Sequence, residues 1–427
     1  MNLSFAKDVL KLTSGTGLAQ LLMIGVLPIL TRLYSPSDFG ALSLFVAISS
    51  VFSVIATLKF DAAIMLPASE RHAADLVWLV IIVAASTSGL LLLVALVARE
   101  PIAVALGYPG IENWLLVVPL GVFLTGTFHG LIYWAMRRER FADVGKSVVL
   151  KAASNVGTAT TMGAVKMPGL PGTGLIVGQI MGYLVSVLAI GWGVARQDRA
   201  LIKRPQPKRL IVLARKYFRL GGTLTVSHAA AAWYIKIPLF IIGALSNAAA
   251  IGFFGLADRV TQAPMSLISK AVGDVYRQRA TVQYRESSRF DDLMRQTLLR
   301  TVLIGAPIYL LGVFLAPTVF GLLFGADWIE AGQYASVMLV GGFFAFIATP
   351  VDKAPIIRHD YRYIFVWHMT FLASHVLIGG ITLWFGLEVL TYLWLAAALR
   401  GVMHTFDIAY GYRLAKGKPM IGGAATT

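Results

Sequence analysis

The chain has 427 residues, 57% of them hydrophobic and only 14% charged, with a net charge of +16. A soluble domain of this length carries far more charge, so the composition excludes an ordinary globular enzyme and indicates a membrane protein. With no cysteine, disulfides, thiolate catalysis and thiolate-bound metals are excluded. The basic excess collects in loops between apolar runs, which is the pattern of membrane topology rather than of nucleic-acid binding.

Twelve apolar stretches recur along the chain, near 12–31, 39–58, 74–97, 113–135, 144–165, 173–195, 219–243, 248–274, 299–322, 331–351, 362–385 and 389–414. Each approaches the ~20 residues that a hydrocarbon core requires. The apolar runs are continuous rather than alternating, so helices are expected and barrel strands are not. The first stretch reads as a permanent span, because no small-x-small cleavage site follows it before Thr31-Arg32.

The expected fold is therefore all-α and polytopic: about 12 transmembrane helices in two pseudo-symmetric six-helix lobes around a central cationic cavity. The lobes would be 1–195 and 219–427, with a basic cytoplasmic linker at 196–218. Lys203-Arg204-Pro205-Gln206-Pro207-Lys208-Arg209 lies at the linker's centre and suits anionic lipid heads. A weak internal repeat supports the division. Gly25-Val26-Leu27-Pro28-Ile29-Leu30 leads to Phe39-Gly40, and Ile235-Lys236-Ile237-Pro238-Leu239-Phe240 leads to Ile251-Gly252. Paired six-helix repeats with a site near the midplane are a common transporter plan.

Lysine and arginine set the direction. The even-numbered loops and both ends hold most of them, including Lys7, Lys11, Lys59, Arg71, Arg137, Arg138, Arg140, Arg277, Arg279, Lys353, Arg358, Lys416 and Lys418. The odd-numbered loops hold little more than Arg32, Arg99 and Lys166, offset by acids such as Asp38, Glu112 and Asp327. Both termini are expected in the cytoplasm.

Charges inside the spans need a reason, since one at the bilayer centre costs ~2.5–3.5 kcal/mol on insertion scales. In the eighth span Arg259, Lys270 and Asp274 fall within about 60° of one another, with Asp258 beside them. In the fifth, Ser147, Lys151, Asn155 and Thr158 share a face. Lys236 adjoins Pro238 in the seventh, and Arg400, His404 and Asp407 align in the twelfth. Two accounts compete: structural ion pairs or snorkelling, and a water-filled cavity lined by cations. His368 and His375 share a face of the eleventh span, as a proton relay or as buried hydrogen-bonded histidines. No HExxH, Walker loop or GxSxG occurs, and no cofactor or metal is expected.

Several stretches resemble a known family. They are Leu30-Thr31-Arg32-Leu33-Tyr34-Ser35-Pro36-Ser37-Asp38-Phe39-Gly40, Leu58-Lys59-Phe60-Asp61-Ala62-Ala63-Ile64-Met65-Leu66-Pro67, Tyr133-Trp134 with Arg138 and Phe141, and Gly172-Thr173-Gly174-Leu175-Ile176 with Gly178. The second half adds Gly252-Phe253-Phe254-Gly255-Leu256-Ala257-Asp258-Arg259-Val260 and Phe324-Gly325-Ala326-Asp327-Trp328 with Ala331-Gly332. In order and spacing they resemble the Wzx-type oligosaccharide flippases, the polysaccharide-transport branch of the MOP exporter superfamily. The Ala257-Asp258-Arg259 step also looks like the corresponding step of lipid II flippases.

The resemblance implies a non-enzymatic flippase of the bacterial inner membrane. It would carry an undecaprenyl-diphosphate-linked oligosaccharide to the periplasmic leaflet, for O-antigen, capsule or exopolysaccharide. A polysaccharide polymerase and a chain-length regulator are the expected protein partners. Inward-facing Arg259, Lys151, Lys236, Arg400, Lys270, Arg32 and Lys59 are the candidate diphosphate ligands. Asp258, Asp274, Asp407 and Asp61 are the candidate ion-coupling carboxylates. The alternatives are a drug or cation exporter, which should have an acidic or aromatic cavity, and a non-transporting scaffold. A glycan polymerase or ligase would need a larger periplasmic loop.

Overall fold

The computed structural model describes residues 15–166, 169–202 and 205–417, and these are helical, with no strand among them. The long helices are α1 (Gly15–Leu33), α2 (Pro36–Thr57), α3 (Glu70–Ala105), α4 (Val118–Arg137), α5 (Phe141–Ala164), α6 (Thr173–Gln197) and α7 (Pro207–Leu245). They continue with α8 (Ala248–Ser287), α9 (Asp291–Phe324), α10 (Ile329–Ala348), α11 (Tyr361–Trp384) and α12 (Val389–Ala415). Every expected span is a helix. Lys7, Lys11, Lys203, Arg204 and Lys418 lie outside the described residues.

Among the described residues, ten helices are long and apolar enough to cross a membrane. Among the helices whose residues are all described, α5, which carries Lys151, falls short of that measure. Lys146, Lys151 and a run of Ser, Asn, Thr and Gly residues dilute its composition. Helices α3, α7, α8 and α9 have 36, 39, 40 and 34 residues, or about 50–60 Å at 1.5 Å per residue. They outrun the ~30 Å hydrocarbon core, so their ends project beyond it.

The surface confirms the solvent. Along α9, Phe314 is 72% and Leu322 75% exposed, while the buried positions of the same helix include Thr301, Gly305, Tyr309, Ala316 and Phe320. Large apolar side chains facing outward are what a bilayer accommodates and water does not.

Contacts divide the chain into two compact units, Met1–Gly252 and Phe253–Thr427. In the first, Ser35 caps α2: its Oγ accepts from the Asp38 amide, and the Asp38 carboxylate accepts from the Ser35 amide at 2.9 Å. Asp38 Oδ1 also accepts from the Gly172 amide at 2.6 Å, fixing the start of α6 against that of α2. Gly172 takes a positive φ of 73° there, which a glycine adopts without strain. A buried cluster around Ile64, Leu76, Val80, Trp134, Leu213 and Tyr217 closes the basic end of this unit. In the second unit a cluster of Tyr276, Phe290, Met294, Val351 and Ala354 has the same place relative to its basic loops.

Candidate functional site

Helix α2 stops abruptly. Leu58 and Lys59 are consecutive non-glycine residues with φ of 43° and 55°, a left-handed break that costs on the order of 1–3 kcal/mol per residue. The break begins the short helix Phe60–Ala63 and turns Asp61 inward, where it is 2% exposed. Its Oδ1 has no hydrogen-bond partner among the described residues. The charges of Asp61, Lys151 and half-buried Lys59 all act on His129 of α4, and that of Asp61 also reaches Tyr133 one turn further on.

Lys151 projects from α5 between rings. Its Nζ is 4.3 Å from the Tyr183 ring centroid and 5.4 Å from that of Phe128. The two rings meet edge to face at 5.8 Å. Among the described residues Lys151 forms no ion pair, so the aromatic faces are what offset its charge. Beside it Asn155 Nδ2 donates to Gln179 Oε1 at 2.6 Å. A cavity of ≈ 170 Å³ opens alongside, lined by Ser49, Ser53, Thr125, His129, Gln179 and Tyr183. The first unit thus holds a polar, hydroxyl-rich recess with cations at its margin. Arg32 is not part of it: the side chain is exposed and turns back to donate to the Pro28 carbonyl at 3.1 Å. Lys236 on α7 is half-buried and engaged with a neighbour.

In the second unit Arg259 is half-buried on α8. Among the described residues it makes no hydrogen bond or ion pair, and the charge that acts on it is that of Asp258, its neighbour in the chain. Asp258 itself has further partners. The Lys270 side chain lies outside the described residues. Asp274 is exposed and lines a cavity of ≈ 360 Å³ with Gln262, Ser269, Thr349 and Lys353. Arg400 is half-buried near the middle of α12.

Asp407 shares a face with Arg400 but is held by another helix: Tyr363 Oη of α11 donates to its Oδ1 at 2.9 Å. Tyr363 stacks on Tyr410 at 4.1 Å, and Tyr410 Oη donates to Asp360 Oδ2 at 2.6 Å. That ladder clamps the start of α11 to α12. In the turn after α10, Asp352 pairs with Lys353. Burial raises its pKa above the ordinary carboxylate range, against the lowering effect of Lys353. In the loop after α3, burial and then Asp38 push the Tyr108 phenol up to about 12, so it stays a donor, reaching the Ser37 carbonyl at 3.4 Å.

Many of the loop arginines are structural. Asp198, 5% exposed, accepts from Trp134 Nε1 at 3.0 Å and pairs with Arg140 at 3.3 Å and Arg138 at 3.4 Å. Glu70 pairs with Arg137 at 2.8 Å and Arg138 at 3.3 Å. The groups that sequence reasoning missed are mostly neutral: Phe128, His129, Gln179 and Tyr183. Gln179 and Tyr183, four apart in an apolar span, were the only available signal.

Solved structures with this fold define the class. Over 93% of each chain, at 14% identity, it superimposes on an inward-facing multidrug-resistance MATE family transporter of the MOP superfamily with a TM-score of 0.61. The lipid II flippase MurJ in an inward closed conformation gives 0.69 at 12% identity, over 93% of this chain and 86% of that one. The eukaryotic MATE transporter AtDTX14 gives 0.55 at 15% identity, over 96% and 98%. The fold is that of MOP-superfamily membrane transporters. Residues 29–333 match the profile of the polysaccharide biosynthesis protein family, and the chain belongs to that family. None of the curated proteins matches it in sequence. Family and fold together make the chain a multi-pass membrane protein of the polysaccharide biosynthesis family with the fold of MOP-superfamily transporters.

Proposed function

We propose that the protein flips an undecaprenyl-diphosphate-linked oligosaccharide from the cytoplasmic to the periplasmic leaflet of the bacterial inner membrane, by alternating access of two six-helix lobes. The observation that carries the reading is Arg259. It sits inside α8, within the matched family segment, and no carboxylate forms an ion pair with it among the described residues. A guanidinium in a membrane span without a carboxylate partner is suited to a ligand that brings its own negative charge. A diphosphate does so, and accepts from the planar fork in pairs. Lys151, offset only by ring faces, supplies a second cation. Asp61, buried with one oxygen unpaired, is the coupling carboxylate this reading favours. Asp407 is committed to Tyr363, and Asp274 is exposed.

Arg259→Ala should abolish export of the lipid-linked glycan while protein abundance stays near normal, and Arg259→Lys should keep partial activity. Full export by a well-expressed alanine variant would remove Arg259 from the binding role. Orientation is tested separately in this cysteine-free chain. Single cysteines at Asn247 and Gly332 should react with an impermeant thiol reagent from outside, and those at Gln206 and Ser287 should not.

A further inference from the structure

The cavity of ≈ 170 Å³ in the first unit is walled by α2, α4 and α6, and its polar groups divide into acceptors and donors. Ser50 Oγ donates to the Ala47 carbonyl at 2.9 Å, Ser53 Oγ to that of Ser50 at 2.8 Å, and Thr125 Oγ1 to that of Gly121 at 2.8 Å. Each of these hydroxyls commits its one proton to its own helix and has only lone pairs left to offer. Helix α6 supplies the opposite character. Gln179 Oε1 is taken by the Asn155 amide, which leaves Gln179 Nε2 to donate. The Tyr183 hydroxyl, like the His129 ring of α4, makes no hydrogen bond among the described residues. No carboxylate, lysine or arginine is among the described residues that line the cavity.

Such walls suit neither a free cation nor a free anion, each of which needs an opposite charge beside it. They suit a neutral molecule that donates and accepts within a few ångströms, as adjacent sugar hydroxyls do. Phe45 and Tyr183 add ring surface for the C–H face of a pyranose. A volume of ≈ 170 Å³ holds about six waters and is smaller than the ~300–1,000 Å³ that encloses a drug-sized ligand. One sugar ring fits and an oligosaccharide does not. The ring of Tyr183 also carries Lys151 Nζ at 4.3 Å from its centroid, so a diphosphate held by Lys151 would place its attached sugar at Tyr183. We infer that the recess binds one neutral sugar residue, the one joined to the diphosphate, and that Gln179, Tyr183 and Ser53 determine which sugar is accepted. The site deepens the proposed function and rests on it for the identity of its ligand.

The test uses the full chain in lipid nanodiscs. The probes are a short-chain polyprenyl diphosphate bearing one glucose, galactose or N-acetylglucosamine, each measured against the same carrier without a sugar. At least one sugar-bearing carrier should bind about tenfold or more tighter than the bare one. Tyr183→Phe, which keeps the ring beside Lys151, should reduce that preference about three- to tenfold, and so should Ser53→Ala and Gln179→Leu. The ratio is the decisive readout, because a variant that merely loosens the fold weakens all carriers alike and leaves it unchanged. If no sugar-bearing carrier outbinds the bare one, the recess holds water only and the inference is overturned. A preference that survives all three substitutions overturns it too. In both cases glycan export, and with it the functional reading, stands. A deletion strain with normal glycan export overturns the functional reading instead. Methyl glycosides of the same three sugars then decide the recess: binding that depends on Gln179 and Tyr183 keeps it, and no binding removes it.

Discussion

Lys151→Met separates a cation kept for a ligand from one kept for the fold. A lysine inside a span costs ~2.5–3.5 kcal/mol on insertion scales. Its two ring contacts, at 4.3 Å and 5.4 Å, return about 1 kcal/mol each. The side chain is therefore a net burden of about 1 kcal/mol on the first unit. Methionine has nearly the same length, packs favourably on aromatic rings and carries no charge. The variant should be more stable than the parent, by about 2–4 °C in thermal midpoint for a unit of this size, and it should fail to export glycan. The assay pairs the unfolding midpoint of the purified protein with cell-surface polysaccharide in a complemented deletion strain. A stabilised, inactive protein is the signature of a residue held against the interests of the fold. A variant that loses stability would refute the reasoning, because Lys151 would then be a structural tie. A variant that exports normally would refute the binding role alone.

The helices were legible because a bilayer imposes a length and a composition on each span: each expected span coincides with a helix, and among the described residues ten of these are long and apolar enough to cross a membrane. Their ends were not. The ends of α3, α7, α8 and α9 that run past the apolar window mix charged and apolar residues, which reads as loop. Charges within spans were legible one at a time, since 3.6-residue periodicity reports which residues share a face. It does not report which other helix covers that face. Asp407 does lie on the Arg400 face, but its partner Tyr363 is 44 residues away. Tyr183 and Phe128, which cage Lys151, look in sequence like any lipid-facing ring. Nothing in the sequence singles out Asp198, and only the fold sets it between Trp134, Arg138 and Arg140. Gly40 and Gly252, matched as counterparts in a weak repeat, turn out to touch: a Cβ on Gly252 would overlap the Pro36 carbonyl and stand 3.0 Å from the Gly40 amide nitrogen.

That contact makes Gly252→Ala an overpacking change with no rotamer to relieve it, expected to cost about 1–3 kcal/mol. An unchanged thermal midpoint would mean that the two backbones do not meet. Asp198→Asn keeps an acceptor for Trp134 and takes from Arg140 one of its two carboxylates, Asp143 remaining at 2.6 Å. It should cost about 1–2 kcal/mol and lower the midpoint by about 2–8 °C, whereas an unchanged midpoint would make the pairs incidental. Asp352→Asn tests a carboxylate outside the spans whose pKa is raised. Burial raises the Asp352 pKa, outweighing Lys353, so between the unfolded and folded values the native chain binds a proton that the unfolded chain releases. Stability must then fall as pH rises through that window and stay reduced above it. Asparagine cannot ionise, so the variant should be the more stable protein at neutral pH. Its advantage should shrink as pH drops toward the ordinary carboxylate range, which thermal midpoints between about pH 4 and 8 will resolve. If the variant is instead the less stable protein at neutral pH, the ion pair with Lys353 outweighs the burial of its charge, and the direction of the linkage is reversed.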